Sequence, residues 1–134
     1  MSNYATENLR TLALVGHGSC GKTTLIEAML YRAGMIPEMG SIQRGTTMCD
    51  NDLLEKEVGH SIRLAVAHID TAMTDLTPVR IHILDTPGYP DYLGQDMSAL
   101  DAVKSVCAVI DPTKGPELLT RRLMAMAKER GLCR

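Results

Sequence analysis

The chain has 134 residues, a formal net charge of −2 and a charged fraction of 22%. That length builds one domain with a modest core, and the near-neutral balance offers no bulk attraction to DNA or to an anionic membrane. No apolar run reaches the length of a membrane span, and the polar start is not that of a signal peptide.

Residues 1–10 are polar and read as a leader, with the domain proper over 11–134. Thr11-Leu12-Ala13-Leu14-Val15 has the pattern of a short buried strand. Gly16-His17-Gly18-Ser19-Cys20-Gly21-Lys22-Thr23 follows at once and fits G-x-x-x-x-G-K-[ST]. A loop of this kind curls its backbone N–H groups around the phosphates of a nucleotide, at the positive end of a helix dipole. Gly16 and Gly21 allow the tight turn and the close approach of phosphate. Lys22 brings a point charge to the β- and γ-phosphates, and the Thr23 hydroxyl is a magnesium ligand.

A helix is expected over 22–33, with Leu25, Ala28, Met29 and Ala33 as its apolar positions. From 34 to 60 no period is sustained, and Gly, Pro, Asp and Glu punctuate the run. A loop of that length inside a compact domain is a functional or mobile one. Residues 61–72 read as a strand, Asp75-Leu76-Thr77-Pro78 as a turn, and 79–84 as a second strand, together an antiparallel hairpin. Asp85-Thr86-Pro87-Gly88 ends it. A helix around 92–103, a strand over 105–110 and a last helix over about 116–130 complete the order, with Gly131 just past the end. Strands alternating with helices predict an α/β fold. The expected form is the three-layer α/β/α sandwich of P-loop NTPases: a mostly parallel sheet with one antiparallel hairpin, and ligands at the carboxyl ends of the strands.

Asp85 ends an apolar strand downstream of a phosphate loop, where a carboxylate holds magnesium, usually through water. Gly88 offers an unhindered N–H to a γ-phosphate. D-x-x-G alone is a weak signal; in this setting it points to a Mg-nucleoside triphosphate. The long loop supplies a third part, since switch loops are ordered by γ-phosphate and magnesium and released after hydrolysis. Ser61, at its end, has the hydroxyl for a further magnesium contact; its plainer reading is a polar residue opening a strand.

The four cysteines, Cys20, Cys49, Cys107 and Cys133, are scattered and read as free thiols of a reducing cytosol. The nine methionines read as core filler. His82 is expected to be a hydrogen-bonded strand histidine, Asp111 to cap the following loop, and Asp91 and Asp96 to cap or flank the second helix. Arg121, Arg122, Lys128 and Arg130 read as a solvated helix face in preference to a ribosome-facing patch.

With these residues in hand, the chain resembles the G domain of bacterial elongation factor G, and more closely its elongation factor G-like relatives, from about Asn8 onward. The phosphate loop with Thr24 matches the family's G-H-x-x-x-G-K-T-T. Asp85-Thr86-Pro87-Gly88-Tyr89-Pro90-Asp91-Tyr92 looks like its D-T-P-G-H-x-D-F. Residues 50–62 align to its switch segment, D-x-x-x-x-E-x-E-R-G-I-T-I: Glu55, Glu57, Gly59 and Ile62 match, while Val58, His60 and Ser61 depart.

The resemblance implies a cytoplasmic GTPase acting on the ribosome, with GTP or GDP and Mg²⁺ as its ligands. Residues 16–24, Asp85 and Gly88 would then hold the nucleotide, with Thr23, Ser61 and Asp85 on the metal. It also implies a gap in catalysis. Tyr89 stands where the family has its water-orienting histidine, and Gly18 and His60 replace its apolar gate residues. Lys22, Tyr89 and His60 are the expected catalytic group, with His60 moved into the water-positioning role; a solvated loop histidine is the plainer reading.

The base-reading N-K-x-D is absent, because none of Asn3, Asn8 and Asn51 precedes lysine. By resemblance it should begin shortly after Arg134, which makes the chain an expected amino-terminal part of a G domain, truncated before its last strands. The strand over 105–110 would then carry an unpaired edge open to self-association. Two other functions fit the same residues: a nucleotide-binding regulatory module with little hydrolysis, and the G domain of a tetracycline-resistance ribosomal protection protein.

Overall fold

The computed structural model describes residues 4–49, 53–73 and 75–134, leaving aside the side chains at 53, 54 and 56. The start of the leader and the expectations at Asp50 and Asn51 lie outside the described residues. Four strands, β1 (Leu9–Val15), β2 (Ala65–Ala72), β3 (Pro78–Asp85) and β4 (Ser105–Ala108), form one sheet in the order β2-β3-β1-β4. Four helices accompany them: α1 (Lys22–Arg32), α2 (Leu53–Val58), α3 (Leu93–Ala102) and α4 (Leu118–Glu129).

β1 pairs parallel with both β3 and β4, and β2 pairs antiparallel with β3. Alternate residues of a strand face opposite sides, and the core divides accordingly. Ala13, Val15 and Leu84 pack with Ala99, Leu100, Leu119 and Leu123 of α3 and α4. Leu14, Ile83, Ala67 and Ile69 pack with Ile26 and Leu30 of α1. Covering both faces explains why the end of β1 is a continuous apolar run. This is the three-layer α/β arrangement expected from the sequence.

Several boundaries differ, each for a local reason. β1 starts two residues early, because Leu9 and Arg10 extend the register against Arg80 and Ile81; the leader therefore ends as a 3-10 turn (Thr6–Asn8) and a strand. β2 starts at Ala65, not 61. The buried Glu55 carboxylate accepts the amides of Ile62 and Arg63 at 2.9 and 3.0 Å, which holds that stretch to α2. α2 and a 3-10 turn (Ile42–Arg44) lie inside the span expected to be irregular.

The α1 stripe is also different. Its buried positions are Lys22, Thr23, Ile26, Glu27 and Leu30, while Leu25 is exposed. Among the described residues no methionine is in the buried core; Met29, Met124 and Met126 pack at its margin, and Met48 and Met73 are exposed. His82 stands opposite His68 across the hairpin, with ring centroids 6.3 Å apart, and among the described residues its side chain makes no hydrogen bond of the kind expected. The outer side of β4 is not bare: Cys133 bridges to Ser105, receiving the Val106 amide at 2.8 Å and giving its own to Lys104 at 3.0 Å.

Candidate functional site: a phosphate loop facing an anchored loop

The loop between β1 and α1 starts at the carboxyl end of a central strand, where an open parallel sheet places its ligands. Lys22 is buried, and its Nζ donates to the carbonyls of Gly16 (3.1 Å) and His17 (2.9 Å). The ammonium thus lies against its own loop. Gly88 comes equally close: its φ is +78°, and a Cβ there would stand 2.2 Å from Lys22 Nζ and 2.3 Å from the Gly16 carbonyl oxygen. Only glycine brings the Gly88 backbone beside the loop lysine.

Thr23, Ser61 and Asp85 come together from three elements. The Thr23 hydroxyl donates to Asp85 Oδ2 at 2.6 Å, and the Ser61 hydroxyl is 3.2 Å from Thr23 Oγ1. All three are buried. Two hydroxyls and a carboxylate are hard oxygen donors, the set that suits Mg²⁺, which keeps waters and phosphate oxygens as its other ligands.

The outer wall is built around Tyr89. Its hydroxyl is 3.2 Å from Ser19 Oγ, its ring centroid 4.5 Å from that of His60 and 6.2 Å from that of His17. A Cβ on Gly18 would fall 2.3 Å from Tyr89 Cζ. The absent side chain at 18 and the large one at 89 therefore occupy the same space. His60 is half-buried, with Nδ1 3.3 Å from the Ser61 carbonyl oxygen, to which it donates. His17 pairs with Glu117 at 3.2 Å. Thr24 and Cys20 complete the loop, Thr24 on the cleft wall and Cys20 Sγ 3.9 Å from Lys22 Nζ.

Ser19, Lys22, Thr23, Thr24, His60, Ser61 and Tyr89 line a cleft of about 610 Å³ together with residues 39–44.

One group here, Glu27, has no place in the sequence motifs. Glu27, 1% exposed, accepts the amides of Gly40 (3.0 Å) and Met48, clamping the long loop to α1. Its signal was an acid three and four residues from Leu30 and Thr23, on the buried stripe. Asp96, expected to cap or flank the second helix, lies in the first turn of α3 without capping it; it is fully buried, and among the described residues neither oxygen makes a hydrogen bond of good geometry. Burial pushes its carboxyl above the ordinary range, against the opposing influence of the Thr86 hydroxyl, the Gly88 amide and the Lys22 charge. Asp91 flanks α3 in the turn just before it and makes no side-chain cap. Asp111 does cap: its Oδ1 accepts the Thr113 amide at 2.8 Å and hydroxyl at 2.6 Å. On the basic face of α4, Arg121 donates to the Pro116 carbonyl and Arg130 pairs with Asp101 at 3.0 Å.

Comparison with known proteins agrees with this geometry. Residues 7–134 match the elongation factor Tu GTP binding domain. The tetracycline resistance protein TetM from transposon Tn1545 of Enterococcus faecalis is 34% identical over 121 residues, covering 90% of this chain and 18% of that protein. Peptide chain release factor 3 of Streptococcus uberis is 35% identical over 127 residues, covering 92% of this chain and 24% of the factor. A crystal structure from Thermus thermophilus superposes with a TM-score of 0.83 at 35% identity, covering 92% of this chain and 18% of that one. The bacterial selenocysteine-specific elongation factor superposes with a TM-score of 0.70 at 25% identity, over 92% and 18% of the two chains. The chain thus spans between 18% and 24% of the length of these relatives.

Proposed function

The chain belongs to the family of the elongation factor Tu GTP binding domain, and from that premise we propose that it binds Mg·GTP in the cleft and hydrolyses it in the service of translation. The observation that carries this reading is the meeting of Thr23, Ser61 and Asp85 directly beside the buried Lys22. Residues 16–24 would cradle the phosphates, with Thr23, Ser61 and Asp85 holding Mg²⁺. When bound, the metal would supply positive charge to the phosphate oxygens. Lys22 and the Gly88 amide would receive the charge that develops as water attacks the γ-phosphate in line. His60 and Tyr89, in ring contact at the mouth, would orient that water. The ribosome is the proposed partner and the cytoplasm the proposed site of action, as the release-factor and elongation-factor relatives suggest. Among the described residues no helix is long and apolar enough to cross a membrane.

Two other readings keep some support. Tyr89 sits where Gly18 leaves room, and a bulky ring at that position suits a binding module with slow turnover. The similarity to TetM suits a ribosomal protection factor. Single-turnover hydrolysis of GTP by the intact protein, with and without ribosomes, tests the main reading. Ribosome-stimulated cleavage is expected, with His60→Ala slowing it. Binding without cleavage under both conditions would favour the regulatory module, and cleavage unaffected by His60→Ala would remove His60 from the water site. Ribosome-stimulated cleavage accompanied by displacement of bound tetracycline would favour the protection factor.

A further inference from the structure

The cleft carries a second cation that neither the sequence motifs nor the mechanism above employs. Arg44 ends the 3-10 turn Ile42–Arg44 and lines the same cleft as Lys22, Thr23 and Ser61. No Asp or Glu lines that cleft among the described residues. Among the described residues its wall thus carries two cations, Lys22 and Arg44, with the Asp85 carboxylate set behind the Thr23 hydroxyl. The Arg44 side chain has no ion pair or hydrogen bond among the described residues, and it is exposed.

The turn that carries Arg44 is fixed at its base. Gly40 and Met48 both donate backbone amides to the buried Glu27 carboxylate. Ser41 receives the amides of Arg44 and Thr46, each at 3.1 Å, and gives its own amide to Thr46 Oγ1 at 3.0 Å. The two arms cross so closely that a Cβ on Gly40 would stand 2.5 Å from the Thr46 carbonyl oxygen. Gly45, with φ +62°, turns the chain back. Residues 42–44 thus form the tip of a clamped loop on the wall of the cleft.

A guanidinium offers five donors in a planar fork that matches phosphate oxygens two at a time, which the Lys22 ammonium cannot do. We propose that Arg44 is a phosphate-contacting residue, an arginine supplied from within the chain to the nucleotide polyphosphate that Lys22 also holds. The assignment rests on the nucleotide-binding reading above. It divides the work: Lys22 acts as a point charge from the helix side, and Arg44 as a fork from the clamped loop. An arginine placed so can also stabilise charge in phosphoryl transfer.

The test is the affinity of the intact protein for Mg·GTPγS, measured by calorimetry for the parent, Arg44→Ala and Arg44→Lys. Arg44→Ala is expected to bind at least tenfold more weakly, with Arg44→Lys between it and the parent. Unchanged thermal melting of Arg44→Ala would show that the fold is kept, as expected for an exposed side chain. A loss smaller than tenfold in Arg44→Ala, in a parent that binds, overturns the arginine assignment alone. A parent that binds no GTPγS overturns both the assignment and the function on which it rests.

Discussion

Replacing Gly18 by alanine adds one methyl carbon to a place already filled by a ring. The new Cβ would lie 2.3 Å from Tyr89 Cζ and 2.6 Å from both Cε atoms, inside any van der Waals contact. The backbone does not object, since Gly18 is not among the positive-φ residues. Tyr89 must therefore swing away. It would give up its hydroxyl contact with Ser19 and its ring contact with His60. A hydrogen bond and an aromatic pair contribute about 1 kcal/mol each, so Gly18→Ala should destabilise the parent by about 2 kcal/mol. In a Tyr89→Ala background the three nearest atoms to that methyl are gone, and it should cost roughly nothing. A double-mutant cycle in urea unfolding would then show a coupling of about 2 kcal/mol. Additive effects, with Gly18→Ala equally costly in both backgrounds, would refute the claim that residues 18 and 89 share one space. Turnover should follow the cycle, because displacing Tyr89 also frees His60.

Three further outcomes follow from the geometry. Glu27→Ala removes a buried acceptor of two backbone amides; at about 1.5–3 kcal/mol for each bond to a charged group, part of it regained from water, a loss of roughly 2–4 kcal/mol is expected. Limited proteolysis should then cut within residues 40–48, and an unchanged digestion pattern would count against the clamp. Asp96 has its carboxyl raised by burial above the ordinary 3.8, so as pH rises past that value the folded state gives up this proton later than the unfolded chain. Its contribution to stability is therefore fully present below the unfolded value and declines as pH rises from about 4. Asp96→Asn should melt higher than the parent at neutral pH, with the gap closing towards pH 4 (about the unfolded value); a gap independent of pH would contradict this. Thr23→Val removes the hydroxyl that joins Asp85 to Ser61 and should abolish the dependence of GTPγS affinity on Mg²⁺, read by titration with and without chelator.

Much of the fold was legible because local chemistry and global packing agree. The apolar run into Gly16, the lysine and threonine opening α1, and the strand ending in Asp85 each carry their own signal. What was missed depends on contacts distant in sequence. Glu55 holds Ile62 and Arg63 away from β2, which no strand propensity in 61–64 could reveal. The α1 stripe was misplaced because its buried face is half polar: Lys22, Thr23 and Glu27 are buried for the sake of the loops they serve, beside only Ile26 and Leu30. Asp96 and Arg44 lie in no motif, and only the fold buries the one in α3 and brings the other to the cleft. The departures at Gly18, His60 and Tyr89 were visible as single letters. Their common meaning, one ring lying against both other positions, needed distances.

The central claim is that this cleft binds a nucleotide through its phosphates, and calorimetry tests it most directly. Mg·GTPγS, GDP and GMP would be titrated into the intact protein and into Lys22→Ala. Affinity is predicted to fall from triphosphate to monophosphate and, on losing the charged contact of Lys22, to fall by roughly tenfold or more for GTPγS. Equal affinity for GTPγS and GMP, or a Lys22→Ala variant that binds as well as the parent, would contradict the account.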